Sequence, residues 1–298
     1  MTITEIRDYV YRTLCAFEDE REAAAISRRL LEYFTAMDML FIALAPQTAI
    51  DDGVLRQIQA ALEDLKNHKP LQYVLGETYF AGLPFSVNEA VLIPRPETEE
   101  LVYWILHTHP DLRGKIMDVC TGSACLAVSL AVNYPQAQLY AIDAFEKVLA
   151  LAKSNAEKHK VSIDFQLQDV LSSDFQHYHP CLFDIILSNP PYVRESEKAV
   201  MAQKVLAFEP ETALFVPDTH ALLFYQAITS WAYNHLNEGG ELYFEINEAF
   251  PEEMRCLLER CHFKNIELKR DMQNKWRMIR AKKLEHSSDA IAFLFFFN

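Results

Sequence analysis

The stretch Phe183-Asp184-Ile185-Ile186-Leu187-Ser188-Asn189-Pro190-Pro191-Tyr192 decides how the rest of the chain is read. Its first half is short, apolar and rich in β-branched residues, the pattern of a buried strand. Asn189 then stands where a central strand ends, at the crevice in which open α/β sheets place their ligands. Two prolines beside it fix φ and remove two N–H donors, so this piece of backbone offers only carbonyl oxygens. Pro190 also pushes Asn189 into an extended conformation, with its side chain clear of the strand. The Asn189 side-chain oxygen and the Pro190 carbonyl therefore form a rigid pair of acceptors, with Tyr192 expected beside them as an aromatic wall. Such a patch suits an –NH2 group whose two hydrogens are held while its lone pair points elsewhere. Asn-Pro is also an ordinary turn signal, and the surrounding pattern has to arbitrate.

That pattern is α/β. From Lys115 onward, strands are expected at 115–120, 138–143, 163–168, 183–189, 241–246, 265–270 and 276–281. Helices are expected at 124–133, 145–159, 219–237 and 250–260, with Gly239-Gly240 as the C-cap of the third. The alternation predicts a doubly wound, seven-stranded, mainly parallel sheet. The last two strands have no helix between them, so one antiparallel strand is expected at or beside an edge.

Residues 1–72 contain no convincing strand. Apolar residues recur at helical spacing in three stripes: Ile3, Ile6, Val10 and Leu14; Ile26, Leu30, Leu31 and Phe34; Leu55, Ile58, Leu62 and Leu65. They predict a small helical bundle. Residues 73–95, with short strands at 73–76, 79–85 and 91–94, predict a β-hairpin linker. Pro96, followed by Glu97, Glu99 and Glu100, then opens a helix running to about His107. The remaining organisation is a domain at 96–284 and a tail at 285–298.

Bulk properties narrow the class. A chain of 298 residues, 50% of them hydrophobic, can bury a full core and is long enough for two domains. It carries 28 basic and 42 acidic residues, a net charge of −14. That surface repels phosphate backbones and argues against direct nucleic-acid binding. The six cysteines form no CxxC pair and no zinc-ligand spacing with histidine, so no metal is expected and the thiols read as those of a cytoplasmic protein. No apolar signal segment opens the chain. Ala290–Phe297 is strongly apolar but too short to span a bilayer, and no membrane association is expected. It reads equally as a packing tail or a sticky end.

Three acidic residues stand at successive strand ends ahead of Asn189. Ile116–Ala124 is a strand, a tight turn and a helix start, containing Asp118 and the small residues Cys120, Thr121, Gly122, Ser123 and Ala124. A nucleoside cofactor approaches the backbone at such a turn. Asp143 ends the second strand, where a carboxylate can accept ribose hydroxyls. Asp169 ends the third, placed to meet an adenine amino group, with Val170 packing on the ring. Any one of these acids could be a helix cap or turn former. Their succession, leading to Asn-Pro-Pro-Tyr at the fourth strand, favours a binding site.

With these residues in place, the sheet pattern resembles the class I S-adenosylmethionine-dependent methyltransferases. Asn189-Pro190-Pro191-Tyr192 resembles the motif of those that methylate a planar amino or amide nitrogen. Four further segments are similar to the protein-(glutamine-N5) methyltransferases that modify peptide chain release factors: Pro70–Gly76, Val91–Glu99, Phe208–Phe215 and Gly239–Glu245. The resemblance implies S-adenosylmethionine as cofactor, the glutamine of a release factor's Gly-Gly-Gln loop as substrate, and a helical domain that docks the factor. Asn189, Pro190, Pro191 and Tyr192 would hold the glutamine. The chain departs from the family turn at its first and third glycines, which are Cys120 and Ala124 here. A positive φ at Cys120 would store strain on the order of 1 kcal/mol. Ala124 is expected to add a methyl where the helix meets the cofactor. Two other readings share these features: an amino methyltransferase of adenine or cytosine in DNA or RNA, and a binding protein whose cofactor affinity the altered turn has weakened.

Overall fold

The structure is a computed structural model that describes residues 1–284. The apolar segment at 290–297 lies outside the described residues. The chain divides into two compact units, Met1–Thr78 with Met201–Phe208, and Tyr79–Val200 with Glu209 onward.

The first unit is helical: α1 (Ile3–Leu14), α2 (Glu20–Thr35), α3 (Met39–Leu44), α4 (Asp52–Lys66) and α5 (Leu71–Leu75). Side chains cap four of them. Thr2 and Glu5 form a reciprocal capping box on α1, and Asp19, Asp38 and Asp51 accept first-turn amides of α2, α3 and α4. The three stripes meet in one core, with Ile3, Ile6, Val10, Leu30, Leu31 and Ile58 wholly or almost wholly buried. Phe34 and Leu55 pack only at its margin. Residues 73–76, expected as a strand, instead end α5. Pro70 starts that helix and Gly76, at φ 68°, closes it in the left-handed conformation, so local end signals outweigh a short β-prone run.

A two-stranded hairpin follows, β1 (Glu77–Phe80) and β2 (Leu83–Ser86). Residues 91–94 are irregular chain, not the expected strand. Pro94 has no amide to pair, and the Ile93 amide donates to the Glu209 carboxylate at 3.2 Å. Then come α6 (Pro96–Thr108), β3 (Lys115–Val119), α7 (Cys125–Asn133), β4 (Gln138–Asp143), α8 (Glu146–Lys158), β5 (Ile163–Leu167) and β6 (Phe183–Ser188). The short pieces β7 (Val193–Arg194), α9 (Gln203–Phe208) and β8 (Phe215–Val216) precede α10 (Leu223–His235), β9 (Leu236–Glu245), α11 (Pro251–Arg260), β10 (Lys264–Arg270) and β11 (Trp276–Lys282).

The large sheet has seven strands in the order β10-β11-β9-β6-β3-β4-β5. β9, β6, β3, β4 and β5 pair in parallel, while β11 is antiparallel to both its neighbours and lies one strand in from the edge. Side chains alternate between two cores, except across the bulge that separates Phe183 from Ile185. Ile116, Ile185, Leu187 and Tyr243 face α6, α7 and α8; Met117, Ile186, Leu242 and Phe244 face α10 and α11. The doubly wound sheet expected from the alternation is therefore present.

Gly239-Gly240 does not cap a helix. α10 stops at His235 and β9 starts at once, so the expected helix to 237 is shorter and the strand longer. The pairing with β6 jumps from Phe183–Leu236 to Ile185–Glu241, and the glycines lie in that bulge. Gly239 sits at φ 79°, and a Cβ on Gly240 would come within 2.9 Å of the Asn237 carbonyl. Strand order reverses between β3 and β6, which opens a crevice at the carboxyl ends of those two strands.

Candidate active site

The turn after β3 forms one side of the crevice. Cys120, Gly122 and Ala124 all sit in the left-handed region, at φ 61°, 55° and 61°. The two residues that replace family glycines thus keep the glycine conformation and its strain. Asn155 of α8 pins the turn from behind, donating to the Ser123 carbonyl at 2.9 Å and exchanging two bonds with the Ser86 backbone. Asp118 is fully buried. The Thr121 hydroxyl donates to its Oδ2 at 2.7 Å, while Oδ1 has no hydrogen-bond partner among the described residues. Burial pushes the Asp118 carboxyl up to about 7, with the Thr121 hydroxyl opposing and the charge of Asp143 adding to the rise.

Asp143, at the end of β4, accepts the Gly122 amide at 3.0 Å and the Phe145 amide at 3.3 Å. Burial raises its carboxyl above the usual range, and those amides partly offset the rise. Asp169 is exposed just beyond β5, and its Oδ1 accepts the Leu171 amide at 2.8 Å. Burial also drives the Cys120 thiol well up, helped by the nearby carboxylates Asp143 and Asp118, so it stays protonated.

These elements surround a cavity of about 390 Å³. Of the residues singled out in the sequence, Cys120, Thr121, Gly122, Ser123, Asp143, Asp169, Val170, Asn189 and Pro191 line it. Asp118, Ala124, Pro190 and Tyr192 do not. Ala124 is fully buried in the core on the α6–α8 face, so its methyl does not point into the approach expected for it. Sequence reasoning passed over Arg95, Thr98, Phe145 and Leu171, which also line the cavity. Arg95 and Thr98 lie in the Val91–Glu99 segment, where the resemblance was the available signal.

Asn189 forms the opposite side. Its Nδ2 donates to the Thr98 hydroxyl at 3.2 Å, and Thr98 in turn donates to Glu245 Oε2 at 2.6 Å. The Tyr192 hydroxyl donates to Glu245 Oε1 at 2.8 Å, with the Arg277 guanidinium at 3.5 Å from the same hydroxyl. Tyr192 is therefore no wall of the cavity: its hydroxyl is drawn away toward a carboxylate on β9. Burial raises the Glu245 carboxyl, and the Thr98 and Tyr192 hydroxyls partly offset this. Asn189 Oδ1 is left without a donor among the described residues.

Comparison with known proteins gives the family of the chain. Residues 99–214 match the family described as Methyltransferase small domain, and residues 5–76 match the PrmC N-terminal domain. The chain is 44% identical over 284 residues to a release factor glutamine methyltransferase of Flavobacterium psychrophilum, covering 94% of this chain and 99% of that one. It is 37% identical over 281 residues to the protein of the same name from Bacteroides thetaiotaomicron, covering 94% and 100%. Among solved structures, a methyltransferase from Pyrococcus furiosus shares the fold with a TM-score of 0.51 at 16% identity, over 68% of this chain and 90% of that one. With identity at this level sustained over nearly its whole length, the chain belongs to the release factor glutamine methyltransferase family.

Proposed function

We propose that this enzyme transfers a methyl group from S-adenosylmethionine to the side-chain amide nitrogen of the glutamine in the Gly-Gly-Gln motif of peptide chain release factors, in the cytoplasm. The observation that carries the reading is Asn189, whose Nδ2 is committed to Thr98 while its Oδ1 stands unclaimed at the cavity wall.

The residues present fit the cofactor. Asp143 and Asp169 retain lone pairs beyond the amides they already bind and would hold the ribose hydroxyls and the adenine amino group. Val170, Phe145 and Leu171 supply apolar surface for the ring. A Cβ on Gly122 would meet no atom within 4 Å, so the turn backbone is open to the cavity. The charged residues lining it are Asp143, Asp169 and Arg95, and Arg95 is already paired with Glu209 at 2.6 Å, which leaves a lining suited to a cation. Bound there, S-adenosylmethionine supplies an electrophilic methyl on a sulfonium leaving group.

The chain's own residues address the other reactant. An amide nitrogen is a poor nucleophile because its lone pair is delocalised into the carbonyl. Asn189 Oδ1, at the cavity wall, would accept one of its N–H groups, fixing the nitrogen and favouring loss of that conjugation. Most of the acceleration then comes from positioning and oriented dipoles. No side chain is assigned as general base, since the surplus proton can leave to water after transfer. Residues 1–72 would dock the release factor and place its glutamine, with the exposed apolar side chains of α3 as the contact.

The test offers labelled S-adenosylmethionine with release factor, DNA and RNA in one mixture. Label is expected in the release factor alone, and label in either nucleic acid would overturn the reading.

A further inference from the structure

We propose that Thr98 and Glu245 are positioning residues that lock the Asn189 amide in one orientation, with its carbonyl oxygen toward the cavity. The proposal rests on the amide-acceptor role given to Asn189 above. An asparagine side chain is nearly symmetric in shape, and a half-turn exchanges its oxygen for its NH2. Turned the wrong way, Asn189 would present N–H groups to the N–H groups of the incoming amide. Something has to choose between the two orientations.

Counting protons shows what does. Thr98 is buried in the first turn of α6, and its one hydroxyl proton is spent on Glu245 Oε2 at 2.6 Å. A carboxylate only accepts, so it cannot return a proton to Thr98. Toward Asn189 the hydroxyl therefore offers lone pairs alone, and it selects Nδ2, at 3.2 Å. The flipped amide would set two acceptor oxygens against each other in a buried place. The second Glu245 oxygen is held by the Tyr192 hydroxyl at 2.8 Å, so the carboxylate is tied to the far end of the same four-residue motif. Glu245 is itself fixed: it ends β9, pairs with Met278 of β11, and its backbone carbonyl accepts the Tyr225 hydroxyl at 2.9 Å. Tyr192 and Glu245 thus act through Thr98 and the backbone, not on the substrate.

Glu245→Gln keeps the shape but adds an NH2, which can donate to Thr98 and free the hydroxyl proton to face Asn189. Turnover should then fall on the order of a hundredfold, the loss expected for a misaligned reacting group. Cofactor affinity, read by calorimetry, should stay within about twofold because Glu245 does not line the cavity. Thr98→Val should cause a similar loss, Thr98→Ser should restore turnover, and the double variant Thr98→Val with Glu245→Gln should be no worse than either single change. Orientation is also read directly in full-length protein carrying 15N-asparagine. A nuclear Overhauser contact should join the Asn189 NH2 to the Thr98 side chain in the wild type and weaken in Glu245→Gln. Unchanged turnover in both Thr98→Val and Glu245→Gln, or no such contact in the wild type, would overturn the proposal. Should Glu245→Gln fail to fold, Thr98→Val against Thr98→Ser decides alone. A wild type that shows the contact yet methylates no release factor would sink the proposed function and leave the orientation lock standing.

Discussion

Asn189 shows how much a residue's role depends on what occupies its other hydrogen-bonding face. Asn189→Ala should abolish methyl transfer while cofactor affinity changes no more than several-fold, since the lost acceptor serves the alignment of the transition state. Steady-state turnover and calorimetric titration on the same preparation check both halves. At Cys120 and Ala124 the strained backbone is common to both but the surroundings differ. Cys120→Gly should tighten cofactor binding a few-fold, because the side chain lines the cavity and its removal widens the approach, while the backbone strain, already present in the free protein, bears on stability alone. Ala124→Gly should leave affinity alone, and its released strain should roughly cancel the loss of a buried methyl worth about 0.8 kcal/mol. Asp118 makes a pH prediction. Its carboxyl sits at about 7 in the fold against 3.8 in the free chain, so the folded state binds the proton more tightly. Stability from this group is full below 3.8 and is lost as pH rises toward 7, by on the order of 4 kcal/mol in total. Asp118→Asn should flatten that slope in denaturant melts taken across the window. The residue types at the strand ends were legible in the sequence. Tyr192 was not: its partner Glu245 comes from a strand distant in sequence, and no local pattern reports a tertiary hydrogen bond.

Elements were legible where a long period backed them and illegible where a few residues had to decide. Three amphipathic stripes and the repeated strand–helix alternation carried through. Residues 73–76 look β-prone, yet Pro70 and Gly76 made them the end of a helix. The Gly239-Gly240 pair looks like a helix cap but serves a bulge opposite Asp184, where a side chain would strike backbone. In the helical unit, α3 presents Leu40, Phe41 and Leu44 at 68%, 49% and 76% exposure, more apolar surface than a six-residue helix needs for its own core. If this unit docks the release factor, Leu40→Glu with Leu44→Glu should raise KM for the intact factor at least about tenfold, since each lost 1.4 kcal/mol of contact is a factor of ten. Methylation of a short Gly-Gly-Gln peptide, which lacks the rest of the factor's surface, should not change. Equal effects on factor and peptide would remove docking from α3.

At the scale of the molecule, alternation predicted the doubly wound class but not the strand order. The insertion of β11 between β9 and β10 depends on long-range pairing that no periodicity records. The reversal between β3 and β6 follows from that order, and it brings the strained turn at Cys120 and the motif at Asn189 to one cavity. The central claim is that this cavity methylates an amide held by Asn189. Full-length protein, labelled S-adenosylmethionine and an intact release factor, followed by tandem mass spectrometry of the product, test it directly. The account predicts label on the glutamine side chain of the Gly-Gly-Gln motif with wild-type enzyme and none with Asn189→Ala. Label on any other residue, or undiminished labelling by Asn189→Ala, would contradict it.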